Sequence, residues 1–402
     1  MPFVNSTKIT IGEKTFSFNA LVVNPNKYLP LMKPLFTDRV FAQKANEDKE
    51  KYLRRLFGLL CNRAGMVVNA TAVPTRRARA RNTALSDEAI NIINAMGIEI
   101  TKTNPCSLNV IFKRSGHKYR MKREAINALI DSVKKNTTFD RDSVGPIKIG
   151  VELEFIGNPA KLANFNKAMN KLVGVDRYDP VMSYHKNNGN QWELGRDCSV
   201  HRRSPQPESF KGFELTSPIY TLGNKKDMTE LKKVCELVKK ELDGCVNTSC
   251  GTHIHMSFAV DSATDELCQH FARWYRKSED SCFDKVVPLR RRGNRARYSH
   301  TVSERYIWDR YRKLNFCNVK KNSKSMHLEF RQLDGTLDYD KIMAWCKLQK
   351  LFVELTMESW NNENETKTPY PIQLEDVIVS DEFDEGMVEE LMEMSSMVRA
   401  IA

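Results

Sequence analysis

Residues 148–155, KIGVELEF, decide how this chain is to be read. Taken as a β-strand over 147–156, the stretch sends alternate side chains to opposite faces. Ile147, Ile149, Val151, Leu153 and Phe155 then form one apolar face, while Glu152 and Glu154 stand on the other beside Lys148 and Gly150. Two glutamates on a half-wet sheet would account for this strand alone. The same design recurs in three later segments. Residues 212–216 set Phe213 and Leu215 against Glu214. Residues 252–258 set Thr252, Ile254, Met256 and Phe258 against His253, His255 and Ser257. Residues 326–333 set Met326, Leu328 and Phe330 against His327, Glu329 and Arg331.

If these four strands share one sheet, their carboxylates and imidazoles meet on a single concave surface. Two carboxylates ~6 Å apart repel by roughly 3 kcal/mol at an effective dielectric of ~20. Several such pairs are costly unless cations sit among them. Oxygen-rich ligands with one imidazole suit Mg²⁺ or Mn²⁺, and the surplus of carboxylates points to more than one ion. The rival is a zinc-dependent hydrolase built on the His253/His255 pair, against which stand the many glutamates and the lack of cysteine ligands nearby. Cys250 reads as a small buried residue in a tight turn.

Outward from this centre, strands and helices alternate over 146–360. Asn158-Pro159 supplies an N-cap and a first-turn proline, Leu162, Phe165, Met169 and Leu172 follow at helical spacing, and Gly174 ends the run. Further apolar stripes predict helices through Met228, Leu231, Cys235, Val238 and Leu242, through Leu267, Phe271 and Trp274, and over 340–358. Upstream, residues 1–140 read as a basic α+β region. It has a helix over 38–61, a capped helix from Ser86 to Gly97, strands at 98–100 and 108–112, and a helix over 125–133. Arg76, Arg77, Arg79 and Arg81 form a cluster suited to phosphates or to a solvated loop. The polar stretch 136–146, NTTFDRDSVGP, is the expected domain boundary, giving a catalytic region over 146–368. Residues 369–402 form an acidic tail; from Glu375 to Glu393 it has no Lys or Arg, and it is either a solvated arm or a segment folded back on the basic body.

The 402 residues carry 63 Lys plus Arg against 50 Asp plus Glu, a formal charge of +13 that favours anionic partners. Hydrophobic residues at 41% suffice for a packed core. Ten cysteines without a CxxC pair read as reduced thiols of a cytoplasmic protein, and no apolar run is long enough to span a membrane. No GxxxxGK[ST] or GxGxxG loop occurs, so any nucleotide phosphates must be held by metals and side-chain arginines. The run Arg290, Arg291, Arg292, Arg295 and Arg297 offers such guanidinium forks.

GVELEF at 150–155, Asp197-Cys198-Ser199, GFELTSP at 212–218, CGTHIHMSF at 250–258, YRKLNF at 311–316 and HLEFRQLDGTLD at 327–338 follow one another in order. This series resembles the amidoligases of the carboxylate–amine ligase superfamily, related to glutamine synthetase and glutamate–cysteine ligase. The resemblance implies an α+β fold: a curved antiparallel sheet, funnel-shaped and flanked by helices, holding ATP and Mg²⁺ (or Mn²⁺). It implies that Glu152, Glu154, Asp197, Glu214, His253 and Glu329 are metal ligands. His253, Arg331 and Arg292 would be catalytic, and Arg292, Asn294, Arg331 and His255 would bind the nucleotide. Arg292 and Asn294 fall where the family has an Arg/Asn motif before a Tyr-Cys pair, here replaced by Tyr298-Ser299 at altered spacing.

The reaction so implied joins a carboxylate to an amine at the expense of ATP, through an acyl phosphate. Other readings stay open: a nucleic-acid-binding protein with an inactive ligase fold, or a ligase acting on a modified nucleic-acid base delivered by the basic front region. Family members occur in phages near base-modification genes, so a phage protein working in host cytoplasm is one expectation. The acid and amine are not legible, because loops such as 178–196 would read them.

Overall fold

In the computed structural model the described residues are 8–11, 14–17, 21, 25, 29–30, 49, 52–53, 55–57, 85–104, 106–135, 144–180, 189–361, 371–380, 383–395 and 397–400. The chain divides into two compact units, Met1–Asn82 and Thr83–Ala402. This division falls upstream of the boundary drawn at 136–146, and it keeps the 98–135 region, the predicted catalytic region and the described tail in one unit. In the first unit, β1 (Lys8–Ile11) pairs antiparallel with β2 (Lys14–Ser17). Of the helix expected over 38–61, Lys49 and residues 52–53 and 55–57 are described, and they are helical, with Tyr52, Leu53, Leu56 and Phe57 buried. The cluster Arg76, Arg77, Arg79 and Arg81 lies outside the described residues.

In the second unit, α1 (Asp87–Ala95) starts where Ser86 accepts a hydrogen bond from the Ala89 amide. Gly97, at φ 74°, turns the chain into β3 (Ile98–Thr103). β3, β4 (Ser107–Phe112) and β5 (Lys118–Lys122) form an antiparallel sheet backed by α2 (Arg123–Lys135). The sheet's fourth strand comes from the far end of the chain, β14 (Val398–Ala400).

The larger sheet is built on β6 (Lys148–Gly157), the strand read first from sequence. The other strands are β7 (Tyr178–Asp179), β8 (Trp192–Arg196), β9 (Lys211–Thr216), β10 (Tyr220–Thr221), β11 (Thr252–Ala259), β12 (Leu314–Asn315) and β13 (Ser325–Phe330). Their order is β12-β13-β11-β6-β9-β8-β7, with β10 on β6, and only β7–β8 is parallel. All four predicted polar-faced strands are therefore neighbours in one sheet. β8 was not expected, because Gly189 shortly precedes it and Gly195 lies within it; Trp192 and Leu194 are nonetheless fully buried in its apolar face.

Helices cover the apolar face. α3 (Leu162–Val173) and α4 (Lys225–Glu241) pack together beside β7 and β8, where Glu230 accepts hydrogen bonds from Trp192 and Tyr220. α5 (Asp265–Ser278) and α6 (Tyr339–Asn361) cover β11 and β13 through Phe258–Phe271 and Phe330–Phe352 ring contacts. The result is a mixed α+β fold with a mostly antiparallel sheet flanked by helices. No helix of the described residues is long and apolar enough to cross a membrane. All nine described cysteines are free.

The described part of the acidic tail folds back. α7 (Leu374–Val379) is tied to the segment after α5 by Lys285–Glu375 at 2.8 Å and by Ser281 donating to the Ile372 carbonyl. α8 (Glu385–Met394) packs on α6, and its Glu389 and Glu393 accept from Ser115 and Tyr119.

Candidate active site

Strand register gathers the polar side chains on one face. His253 lies opposite Glu152, His255 opposite Glu329, and Glu154 opposite Glu214. A cavity of about 940 Å³ opens over them, at the large end of the range for small-molecule sites. Asp197 joins from the turn after β8, where its Oδ1 accepts from the Ser199 amide at 2.6 Å. That turn sits directly on Gly212: a Cβ there would lie 2.2 Å from the Val200 carbonyl and 2.7 Å from that of Asp197. Glycine is what lets the turn, and so Asp197, approach the sheet.

Two groups of candidate cation ligands result. Glu154, Asp197 and Glu214 each bring an oxygen within 4.8 Å of the others, and Glu152, His255 and Glu329 do the same with a ring nitrogen among them. Carboxylate pairs this close repel by roughly 3 kcal/mol at a dielectric of ~20, so the donor set fits hard divalent cations. His253 stands between the two groups, its Nδ1 3.0 Å from Glu152 Oε2 and its Nε2 3.7 Å from Glu154 Oε1. The Gly251 amide fixes the other Glu154 oxygen at 2.6 Å.

The electrostatics follow from this crowding. Burial opposes ionisation of Glu152, but the His255 and His253 imidazoles outweigh it and hold the carboxyl well below its usual range. Burial acts against the His255 proton too, and Glu152 at 2.9 Å overrides it, raising that imidazole's pKa. His327, 3.1 Å from His255, is pushed down to about 4 by burial and by its neighbour. The cluster draws positive charge to its centre.

Buried arginines close the cavity beyond the acids. Arg331 pairs with Glu329, whose other oxygen accepts from Asn315. Arg291 donates to the Cys250 carbonyl and to Asp334. All seven Lys or Arg side chains lining the cavity are arginines. Glu152, Glu154, Asp197, Glu214, His253, His255, Glu329 and Arg331 thus line one cavity. Arg292 and Asn294 are not among the lining residues. Arg292 Nε turns back to the Val287 carbonyl at 2.8 Å, and Asn294 accepts from the Thr301 amide at 2.9 Å, so both brace the loop. Arg291, one residue earlier, takes the inward position. Asn315 was missed, although it alternates with buried Leu314 and Phe316 inside the YRKLNF motif.

Behind this loop Lys313 is fully buried, 2.6 Å from Asp284 and 3.6 Å from Glu279. Asp284 also accepts from the Gly293 amide and the Gln332 side chain, and Glu279 from the Val302 amide. The arginine-rich loop is therefore pinned at two points to one buried charge cluster.

Residues 145–313 match the model of a family described as "Putative amidoligase enzyme". The match stops short of Glu329 and Arg331. The similarity covers residues 145–313 alone, with Glu152, Glu154, Asp197, Glu214, His253, His255 and Arg291 inside it. A solved structure titled "Apo GmaS without ligand" aligns over 71% of this chain and 72% of its own, at 14% identity and a TM-score of 0.27, too distant to carry an argument. No curated protein matches the chain.

Proposed function

We propose that the protein is an ATP- and divalent-cation-dependent carboxylate–amine ligase working through an acyl phosphate. One observation carries this reading: a single cavity has carboxylates and imidazoles on its sheet floor and arginines buried beside them. In the reaction, a substrate carboxylate oxygen attacks the γ-phosphorus of ATP and ADP leaves. The lone pair of an amine then attacks the acyl carbon, inorganic phosphate departs, and the amine gives up a proton. Both steps shift negative charge among oxygens, so positioning and charge stabilisation supply most of the rate.

Bound Mg²⁺ or Mn²⁺ would shield the phosphates, held by Glu154, Asp197 and Glu214 and by Glu152, His255 and Glu329. His253 orients Glu152 and Glu154 and faces both groups. Arg331 and Arg291 stabilise the transferring phosphoryl group, Arg291 in the role the sequence had given Arg292. The chemistry needs no enzyme nucleophile, and burial pushes the Cys250 thiol up to about 11, away from one.

Purified chain given ATP, Mg²⁺ and pooled amino acids or diamines is expected to release ADP and phosphate. Glu154→Ala lowers that release by roughly 10²-fold or more with its circular dichroism unchanged. Turnover that persists in this variant removes the cation-binding role of the floor; no release with any acid–amine pair counts against the ligase.

A further inference from the structure

We propose that the mouth of the cavity is a docking surface for single-stranded nucleic acid, a surface that stands beside the ligase chemistry and does not depend on it. Nine large hydrophobic side chains are exposed among the described residues, and five of them are aromatic. Four of those five, Tyr298, Tyr306, Trp308 and Tyr311, fall within 298–311. The segment 290–312 that contains them also carries eight arginines. Exposed rings cost solvation, and such a cluster marks a surface with a partner.

The rings and guanidinium groups are already arranged in a row. Arg297 lies 5.2 Å from the Tyr298 ring centre, Tyr298 lies 5.5 Å from Tyr311, and Arg310 lies 5.6 Å from Tyr311. Trp308 has Lys321 at 5.6 Å. Exchange of backbone hydrogen bonds holds the row in place: the His300 amide donates to the Tyr311 carbonyl, and the Lys313 amide to that of His300. Tyr298 and Tyr311 line the cavity mouth with five exposed arginines; Arg290 is paired with Asp334, which leaves Arg203, Arg295, Arg297 and Arg310 for phosphates.

The chemistry favours a strand over other anions. Stacking on aromatic and guanidinium planes needs unpaired bases, and guanidinium forks fit phosphates spaced along a backbone. An acidic peptide would use the arginines but gain nothing from the rings. A duplex hides its bases inside its own stack. The buried Arg291 and Arg331 are left for the floor of the site.

The test is fluorescence anisotropy of labelled oligothymidylate with the full chain and no nucleotide, so its outcome is read apart from turnover. Binding is expected with a log–log salt slope of about −3, four phosphate contacts at about 0.7 each. Tyr298→Ala with Tyr311→Ala weakens it about tenfold or more at unchanged slope. Arg295→Gln, Arg297→Gln and Arg310→Gln together flatten the slope by about 2. All these side chains are exposed, and a melting curve checks each fold. Oligouridylate run alongside tells whether the 2′-hydroxyl is read, and preference for either strand type supports the surface. Absent binding, binding that neither variant set alters, or equal affinity for polyglutamate or for duplex overturns it.

Discussion

At the scale of single residues, Lys313 sets the sharpest expectation. Removing this fully buried ammonium leaves Asp284 buried without its cation, and leaves Glu279 only its ion pair with Arg276 at 2.6 Å. Lys313→Met is expected to cost about 3–5 kcal/mol in urea unfolding, as for breaking a buried pair. A loss under about 1 kcal/mol would mean that the loop is not held by this cluster. The sequence did not announce Lys313, because a lysine among arginines looks like a surface residue until the fold buries it. Glu152, Glu154, His253 and Glu329 were legible for the opposite reason. Strand alternation fixes which face each side chain takes, whatever the partner strand. Arg291 and Arg292 differ by one position in a loop, where no period decides which guanidinium turns inward.

Among the elements, the acidic α8 shows what pattern alone leaves open. Its residues read equally as a solvated arm or as a segment folded back, since either suits a run of acids next to a basic body. The packing against α6 settles it and leaves a mark. Burial, then the Asp338 and Glu393 carboxylates, raise Glu390 to about 7, with Lys341 pulling the other way. Its folded pKa exceeds its unfolded one, so the stability it contributes is greatest at low pH and is lost as pH rises through 7. Glu390→Gln should therefore raise the melting temperature at pH 8.5 and do so much less at pH 5. No gain at pH 8.5 would place that carboxyl in water. The four polar-faced strands and the helices of the larger sheet lay within a few residues of their expected positions, because apolar periodicity and caps such as Asn158 specify them locally. β8 escaped notice, since its glycine and short length resemble a loop until β9 pairs with it.

For the whole molecule, a chain with a formal charge of +13 concentrates five carboxylates on the floor of one cavity and surrounds them with arginine. Such a separation of charge is costly unless cations and an anionic ligand occupy the two halves together. This, more than any single residue, is what supports the proposed metal–nucleotide pair. The most direct test is Mn²⁺ binding by electron paramagnetic resonance, with and without an unhydrolysable ATP analogue. The account predicts Mn²⁺ bound at both three-ligand groups, tightened by the nucleotide, with one ion lost in Glu154→Ala. Mn²⁺ that fails to bind, or that binds alike in wild type and Glu154→Ala and ignores the nucleotide, would contradict it.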